Sequence, residues 1–252
     1  MHKPQVRSFW DNAVYHTGNM EVCALTGNKD YLQYSIDWAD YNQWKGATSN
    51  NKAEWRSTYG ESPEYVLFGD WQVCFQTYAD LYKLDPDTIK IARAREVMEY
   101  QMSTSKLDYW HWVDALYMVM PVMVKMYDIT KNPLYLEKLH QYLTVTDSIM
   151  YDREVGLYYR DAKYPYPFHK TINGKKDFWS RGDGWAFAAF AKVLKQLPAE
   201  DKYREEYITR FQTMAKSIAA CQQPEGYWTR SLIDPEQAPG CLLYTSPSPR
   251  DG

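Results

Sequence analysis

Apolar residues recur at helical spacing along most of the chain, in paired segments that short polar turns separate. Each forward segment runs for about four helical turns until Gly, Asn, Asp or Pro residues end it, and a second segment then runs back. The predicted forward helices cover residues 10–26, 68–84, 112–129 and 183–197. Three of the predicted return helices cover residues 29–45, 132–150 and 201–222. The return helix after 68–84 is predicted to start at 85–87, with Pro86 in its first turn. The pattern therefore predicts an all-α fold built from helical hairpins.

The spacing of the hairpins and their apolar character indicate how they are arranged. Successive forward helices begin near residues 11, 70, 114 and 183, so the repeat is irregular, unlike that of a solenoid with a fixed period. The third forward segment is apolar on every side, which indicates burial all round, and Pro121 inside it predicts a kink or a local break. We expect a closed toroid with nearly apolar inner helices and amphipathic outer ones.

Two segments lack helical periodicity. Residues 46–66 are polar and contain Gly and Ser, which predicts a long loop. Residues 151–182 are rich in Tyr and Pro and partly alternate, which predicts a loop or an irregular hairpin over one mouth of the toroid.

An aspartate stands beside a tryptophan where each forward helix begins, at Asp11, Asp70, Asp114 and Asp183. Carboxylates and indoles that recur at the same end of each hairpin predict an acidic, aromatic pocket at one mouth. Indole faces stack on the apolar faces of sugars, so a carbohydrate is the ligand that suits such a pocket.

Composition narrows the choice of ligand. Aromatic residues make up 16% of the chain, including 10 Trp and 23 Tyr, and many lie in the loops. A formal net charge of −3 gives no general attraction to nucleic acid or to an anionic membrane, and no segment is long enough to span a membrane. The cysteines and histidines show no metal-ligand spacing, so they do not indicate a metal site, and no cofactor is expected either.

Asp114 is the best candidate for an acid. It ends the run 108–114 (DYWHWVD), which also supplies Trp110, His111 and Trp112 as candidate substrate-binding residues. A carboxyl group among indoles at the start of an apolar helix is desolvated, which raises its pKa and keeps a proton available. The alternative is an ordinary N-cap aspartate.

Asp70 is the candidate for a second carboxylate, with the same N-cap alternative, because glycosidases often use two carboxyl groups in unequal environments. Asp11 and Asp183 are interpreted as caps. Arg181 lies two residues before Asp183, so Asp183 is expected to stay ionised.

The densest motif is the segment 179–185 (WSRGDGW), which contains Trp179, Arg181 and Trp185. Indoles that stack on a sugar, together with an arginine that grips a carboxylate, suit an acidic sugar. The structural alternative places Trp185 in the core and pairs Arg181 with Asp183.

Further candidates for the pocket lie in loops. Tyr41 and Trp44 close the first hairpin and either line the mouth or pack in the core. Arg160 and His169 lie in the segment 151–182 and either face the pocket or are ordinary surface groups.

The two ends of the chain do not fit the helical pattern. The last twelve residues, 241–252 (CLLYTSPSPRDG), resemble a translated sequencing adapter, so we expect a single domain over residues 1–240 that is incomplete at its C-terminus. The start shows no apolar signal core, which predicts a cytoplasmic protein if Met1 is the true start and leaves export to the periplasm open otherwise.

Together these segments resemble the unsaturated glucuronyl and rhamnogalacturonyl hydrolases of glycoside hydrolase families 88 and 105. The resemblance covers most of residues 8–240 and rests on FGDWQVCFQTYADLY, WHWVDALYMVMPVM, FWSRGDGWAFAAFAKVLKQLP and QQPEGYW. It implies an (α/α)6 toroid of six hairpins, of which this chain holds about four. The chain departs from many relatives at 159–161 (YRD), where a His-Gly-Trp-Asp-like run is common.

The resemblance also implies the chemistry. Such enzymes remove a 4,5-unsaturated uronic acid from the non-reducing end of lyase-generated oligosaccharides, as in pectin degradation, by hydrating its double bond. Asp114 matches the aspartate that protonates the enol ether, Asp70 the second aspartate, and Trp112, Trp179, Arg181 and Trp185 match pocket residues.

Two other classes of function remain open. A sugar epimerase or isomerase on a similar toroid generally needs paired histidines at helix mouths, and here only His111 is suitably placed. A non-catalytic carbohydrate-binding relative would leave Asp114 dispensable. The sequence does not indicate an oligomeric state.

Overall fold

A computed structural model describes residues 4–238, and the segment 241–252 lies outside them. The residues form two compact units: one contains the described residues up to 109 together with 118–139, and the other contains 110–117 and the described residues from 140 onward. The helices are α1 (Trp10–Thr26), α2 (Lys29–Tyr41), α3 (Gly69–Gln72), α4 (Cys74–Leu84), α5 (Ile89–Ser103), α6 (Asp114–Thr130), α7 (Leu134–Met150), α8 (Ser180–Gln196) and α9 (Arg204–Ala220). The predicted all-α class is confirmed for the described residues, with the single-domain organisation still a prediction.

The first unit contains two of the predicted helical hairpins, because α1 packs on α2 and α4 packs on both α1 and α5. Two residues make the turn of the first hairpin. Gly27 takes a positive φ of 67° and donates its N–H to Cys23 O at 2.8 Å, which ends α1. Asn28 Oδ1 then accepts the N–H of Asp30 at 2.8 Å, which starts α2.

Helix α2 ends at Tyr41, four residues before the predicted end. Gln43 and Trp44 both adopt positive φ, and the N–H of Trp44 returns to Ala39 O at 2.9 Å. This reversal buries the indole of Trp44, which donates to Asp40 Oδ1 at 3.0 Å and packs on the ring of Tyr78. The tertiary contacts of one indole therefore override the continuing helical pattern.

The segment predicted as one helix over 68–84 divides at Val73 into α3 and α4. The carbonyl of Trp71 there accepts the thiol of Cys74 at 3.3 Å, and Gly46 approaches that carbonyl so closely that a Cβ would lie 2.0 Å from it. The partner helix α5 begins at Ile89, so Pro86 precedes the helix instead of lying in its first turn as predicted. Asp87 Oδ1 accepts the N–H of Ile89 at 3.1 Å.

Residues 115–126 of α6 are buried on every side, as the apolar sequence predicts: Leu116, Met118, Val122 and Val124, which point in different directions around the helix, are each at most 1% exposed. Pro121 lies inside it without a break in the helix, so the predicted local break does not occur. Asn132 Oδ1 accepts the N–H of Leu134 at 3.0 Å and starts α7. No described helix has the length and apolar character required to cross a membrane.

The second unit packs α8 and α9 together as a third hairpin, and both contact strand β2 (Leu157–Tyr158). Strand β2 pairs antiparallel with β1 (Tyr151–Asp152), with Tyr151 opposite Tyr158, which confirms the predicted irregular hairpin. Helix α8 begins at Ser180, three residues before its predicted start. The first turn of α8 therefore contains both Arg181 and Asp183, and this early start forms part of the candidate site.

Candidate active site

The start of α6 is held by a short pairing with the segment that follows β2. The N–H of Val113 donates to Arg160 O at 2.9 Å, and Trp112 forms an antiparallel bridge with Asp161. The chain then turns into α6, whose first residue is Asp114. Asp114 is therefore fixed by backbone hydrogen bonds on the side that precedes it and by a buried helix on the side that follows.

The surroundings of Asp114 make it a weak acid. Burial raises the pKa of Asp114 to about 6, although the nearby charges of Arg181 and Arg160 and a backbone hydrogen bond oppose that rise. The residue as a whole is still partly exposed to solvent. A carboxyl group of this kind holds its proton in mildly acidic solution and exchanges it near neutral pH, as a general acid must.

The first turn of α8 reaches this carboxyl group because residue 182 is a glycine. A Cβ at Gly182 would lie 2.6 Å from Val113 Cγ1 and 2.9 Å from Trp179 Cε3. Without that atom the turn packs directly against the residue that precedes Asp114, which brings the charge of Arg181 near it. The guanidinium of Arg181 lies 4.4 Å from the centre of the Trp179 ring, an arrangement that keeps its charge and the indole together.

Asp183, predicted to be an ionised cap, does not occupy the cap position, and its burial disfavours the ionised form. The helix starts three residues earlier, so Asp183 lies inside the first turn with 0% of its surface exposed. Its Oδ1 accepts the N–H of Tyr158 at 2.8 Å. Burial raises the pKa of Asp183 well above its usual range, although the hydrogen bond from the Tyr158 N–H opposes that rise.

Neither Asp11 nor Asp70 occupies an N-cap position. Asp11 is an exposed residue in the first turn of α1, whose N-cap is Phe9. Asp70 is 5% exposed in the first turn of α3, whose N-cap is Phe68. The cap interpretation of both aspartates is therefore wrong, and the pairing of Asp70 with Asp114 stays a prediction.

The candidate aromatic residues divide into buried and accessible ones. Trp44 and Trp110 are 6% and 3% exposed, and Trp110 packs edge-on against Tyr142 at 5.6 Å, so both belong to the core. Trp185 packs at 4.7 Å against Tyr117 but keeps partial exposure. The other partly or fully exposed candidates are Tyr41, His111, Trp112 and Trp179.

Arg160 and His169 lie on the loop that follows β2. Arg160 is exposed, donates to Tyr164 Oη at 3.0 Å and lies over the ring of Tyr164 at 5.3 Å. His169 pairs with the buried carboxyl group of Asp177 at 2.9 Å, and Arg230 contacts both oxygens of that carboxyl group at 2.7 Å. Arg160 can therefore meet a ligand, whereas His169 fastens the loop.

The sequence does not predict the structural roles of two residues of the second unit, Tyr158 and Gly182. Tyr158 donates to Asp147 Oδ1 at 2.6 Å and accepts from Arg210 Nη1 at 2.5 Å in a buried cluster. Gly182 sets the approach of α8. The glycines of the WSRGDGW motif are a visible signal for such an approach, but nothing in the sequence distinguishes Tyr158 from the many other tyrosines.

A family model described as Glycosyl Hydrolase Family 88 matches residues 2–246. The chain belongs to glycosyl hydrolase family 88. The family predicted from the sequence motifs is thus confirmed.

One relative by sequence and two solved structures carry three different descriptions. The unsaturated 3S-rhamnoglycuronyl hydrolase of Formosa agariphila is 27% identical over 237 residues, which are 90% of this chain and 61% of that enzyme. A solved structure described as a polysaccharide lyase superposes with a TM-score of 0.92 and 71% identity over 93% of this chain and 66% of that chain. A family 105 glycoside hydrolase from C. acetobutylicum ATCC 824 superposes with a TM-score of 0.71 and 19% identity, over 92% of this chain and 66% of that chain.

These matches confirm the predicted fold class, the helical toroid of families 88 and 105, and leave the number of hairpins as a prediction. The chain spans less than two thirds of the length of each of these three proteins.

Proposed function

We propose that this chain is part of a glycoside hydrolase that removes a 4,5-unsaturated uronic acid from the non-reducing end of lyase-generated oligosaccharides. The single observation that carries the proposal is the environment of Asp114, a partly accessible carboxyl group with a pKa of about 6 beside two arginine charges. Membership in family 88 and the name of the Formosa agariphila relative support the same chemistry.

In this mechanism Asp114 is the acid. It gives its proton to C4 of the C4=C5 double bond, and the hydroxyl group of a water molecule then adds to C5 while the carboxylate of Asp114 takes up the other proton of that water. The hemiketal opens to a keto acid, and the resulting hemiacetal at C1 releases the remaining sugar. Because C1 is not attacked directly, the carboxylate separation that distinguishes retaining from inverting glycosidases does not apply.

The positive and aromatic groups near Asp114 bind the sugar. Arg181 holds the uronate carboxylate by charge-assisted hydrogen bonds, and Arg160 supplies a second positive charge. The partly exposed rings of Trp112, Trp179 and Trp185 stack on the sugar faces. His111 and Tyr41 are further candidates for contact, and Asp70 is proposed as the second carboxylate.

A second candidate function is β-elimination by a polysaccharide lyase. The observation that favours it is the name of the solved structure with 71% identity. In that reaction a base removes the proton at C5 of an intact uronate, the C4–O4 bond breaks, and an acid protonates the departing oxygen, so that a C4=C5 double bond forms. Arginines that bind the uronate carboxylate and a protonated Asp114 suit this reaction as well.

One spectroscopic trace separates the two reactions, because hydration consumes the conjugated enol ether and elimination creates it. The protein expressed from its natural gene is mixed with unsaturated oligosaccharides in one cuvette and with intact uronate-containing polysaccharide in another, and the ultraviolet absorbance of the enol ether is followed. The hydrolase predicts a falling absorbance in the first cuvette only. A rise in the second cuvette supports the lyase, and no change in either across pectin-, ulvan- and glycosaminoglycan-derived substrates removes both.

A further inference from the structure

The buried carboxyl group of Asp183 joins two chain segments that carry the charges of the candidate site. It belongs to the first turn of α8, two residues after Arg181, and its Oδ1 accepts the N–H of Tyr158 in β2 at 2.8 Å. An aspartate in the first turn of a helix usually bonds to its own helix or to water. Here the carboxyl group reaches across to another segment.

Strand β2, to which Asp183 bonds, is itself held by side-chain contacts. Tyr158 Oη donates to Asp147 Oδ1 at 2.6 Å and accepts from Arg210 Nη1 at 2.5 Å. Arg210 completes the triangle with Asp147 at 2.7 Å, and its guanidinium lies 3.6 Å from the centre of the Tyr151 ring. Because this cluster is buried, it holds β2 in place, and β2 can therefore position the groups that bond to it.

The chain from β2 leads directly to the site. Arg160 follows Tyr158 by two residues, and its carbonyl accepts the N–H of Val113, next to Asp114. Arg181 approaches the same carboxyl group from α8, and both arginines lower the pKa of Asp114. The bond between Asp183 and Tyr158 therefore links the strand that leads to Arg160 with the turn that carries Arg181.

We propose that Asp183 is a positioning residue, whose hydrogen bond to the backbone of Tyr158 sets the placement of Arg181 and Arg160 around Asp114. The proposal deepens the proposed function, on which its catalytic meaning rests. Asp183 does not touch the substrate; it acts through the two arginines.

For this task the carboxyl group needs only an acceptor oxygen and no charge. Burial favours its protonated form, Oδ2 has no hydrogen-bond partner among residues 4–238, and the neighbouring titratable groups, Cys221 and Tyr158, provide no positive charge. An asparagine is the neutral, equally shaped replacement, because its amide oxygen accepts the N–H of Tyr158 as the carboxyl oxygen does. An alanine removes the acceptor altogether.

The test measures the pKa of Asp114 by carbon-13 NMR of aspartate-labelled protein, with the resonance assigned by its loss in Asp114→Asn. In Asp183→Ala the two arginines move away from Asp114, so its pKa rises by about one pH unit. In Asp183→Asn the pKa of Asp114 follows the parent. A role in stability alone would lower the melting temperature without changing this titration, so Asp183→Ala with the parent titration overturns the proposal, as does an Asp183→Asn variant that shifts as far as Asp183→Ala.

Activity and hydrogen exchange provide independent readouts. The KM for an unsaturated substrate rises about tenfold in Asp183→Ala, because loss of about one charge-assisted contact between an arginine and the substrate weakens binding by that factor. In Asp183→Asn the KM returns to the parent value. If the parent changes no substrate, the proposed function fails while the NMR titration still decides the role of Asp183. Should Asp183→Ala not fold, Asp183→Leu, which also lacks an acceptor but keeps a similar side-chain shape, replaces it with the same expectations. Rapid exchange of the Tyr158 amide in Asp183→Asn would overturn the proposal whatever the other variants do.

Discussion

Asp114 and Asp183 both belong to the second unit and each lies in the first turn of a long helix, yet their surroundings give them different chemistry. Asp114 is partly exposed beside two arginine charges, and its pKa is about 6. Asp183 is sealed from solvent and bonds to one backbone N–H, and burial raises its pKa well above the usual range. Desolvation raises both pKa values, so access to solvent and to positive charge separates a carboxyl group that can exchange protons from one that holds the structure.

The largest effect on activity is expected from substitution of Asp114, the partly exposed member of the pair. Asp114→Asn removes the transferable proton, so kcat falls by about 10² to 10⁴-fold. The fold survives, because burial already disfavours the ionised carboxylate, and the melting temperature at neutral pH stays equal to or above that of the parent. Initial rates and thermal melts check both statements, with the exposed Asp37→Asn as the matched control. Full activity in Asp114→Asn would assign the acid to another residue.

Arg181→Gln tests the charge that distinguishes the two sites. Loss of a charge-assisted contact with the uronate raises KM by about 10 to 100-fold. Loss of the cation also raises the pKa of Asp114, so the fall in activity at alkaline pH moves to higher pH, since the acid must be protonated. Arg160→Gln is the matched comparison and moves both quantities less, because Arg160 is exposed. An unchanged pH profile in Arg181→Gln would disconnect this arginine from Asp114.

Gly182→Ala is expected to prevent α8 from packing closely against Val113, the residue before Asp114. The added Cβ would lie 2.6 Å from Val113 Cγ1, so the turn must shift, at a cost of about 1–3 kcal/mol in the free energy of unfolding. Gly184→Ala on the same helix is the control, since its Cβ meets nothing within 4 Å and alanine favours a helix by about 0.5–1 kcal/mol. Urea unfolding of the two variants measures the difference; equal stability would mean that the close contact at residue 182 does not constrain the site.

The smallest effect concerns the sealed carboxyl group. Because folding raises the pKa of Asp183, its contribution to stability is fully present below the ordinary carboxyl pKa of about 4 and is lost as the pH rises toward the folded value. Asp183→Asn has no proton to lose, so its melting temperature relative to the parent increases between about pH 4 and pH 7, by about 2–4 °C for each kcal/mol. A relative melting temperature that decreases over this range would show that the native carboxyl group is ionised.

The sequence predicts those features that depend on local chemistry. Helical spacing identifies most of the helices, and Gly27–Asn28 and Asn132 mark turns because their caps are local. Desolvation of Asp114 follows from the apolar helix that it starts and the indoles before it. The WSRGDGW motif identifies Arg181, because an arginine between two tryptophans suits an acidic sugar.

The features that the sequence does not predict depend on contacts between distant residues. The sequence predicts an ionised cap at Asp183, two residues from Arg181, but its Oδ1 accepts the backbone N–H of Tyr158, 25 residues earlier. Helix α2 ends early because the indole of Trp44 is buried against Tyr78. The helical spacing of apolar residues does not predict that contact. The backbone N–H of a strand has no sequence signature, so a carboxyl group that bonds to it cannot be distinguished from a cap in advance.

The most direct test of the role of Asp114 is the pH dependence of kcat/KM for the fall in enol-ether absorbance. With Asp114 as the acid, the rate is high in mildly acidic solution and falls tenfold for each pH unit above an apparent pKa of about 6, the value expected for this carboxyl group. A rate that does not change between about pH 5 and pH 8 would contradict that role, because a carboxyl group that titrates in this range could not then be the proton donor.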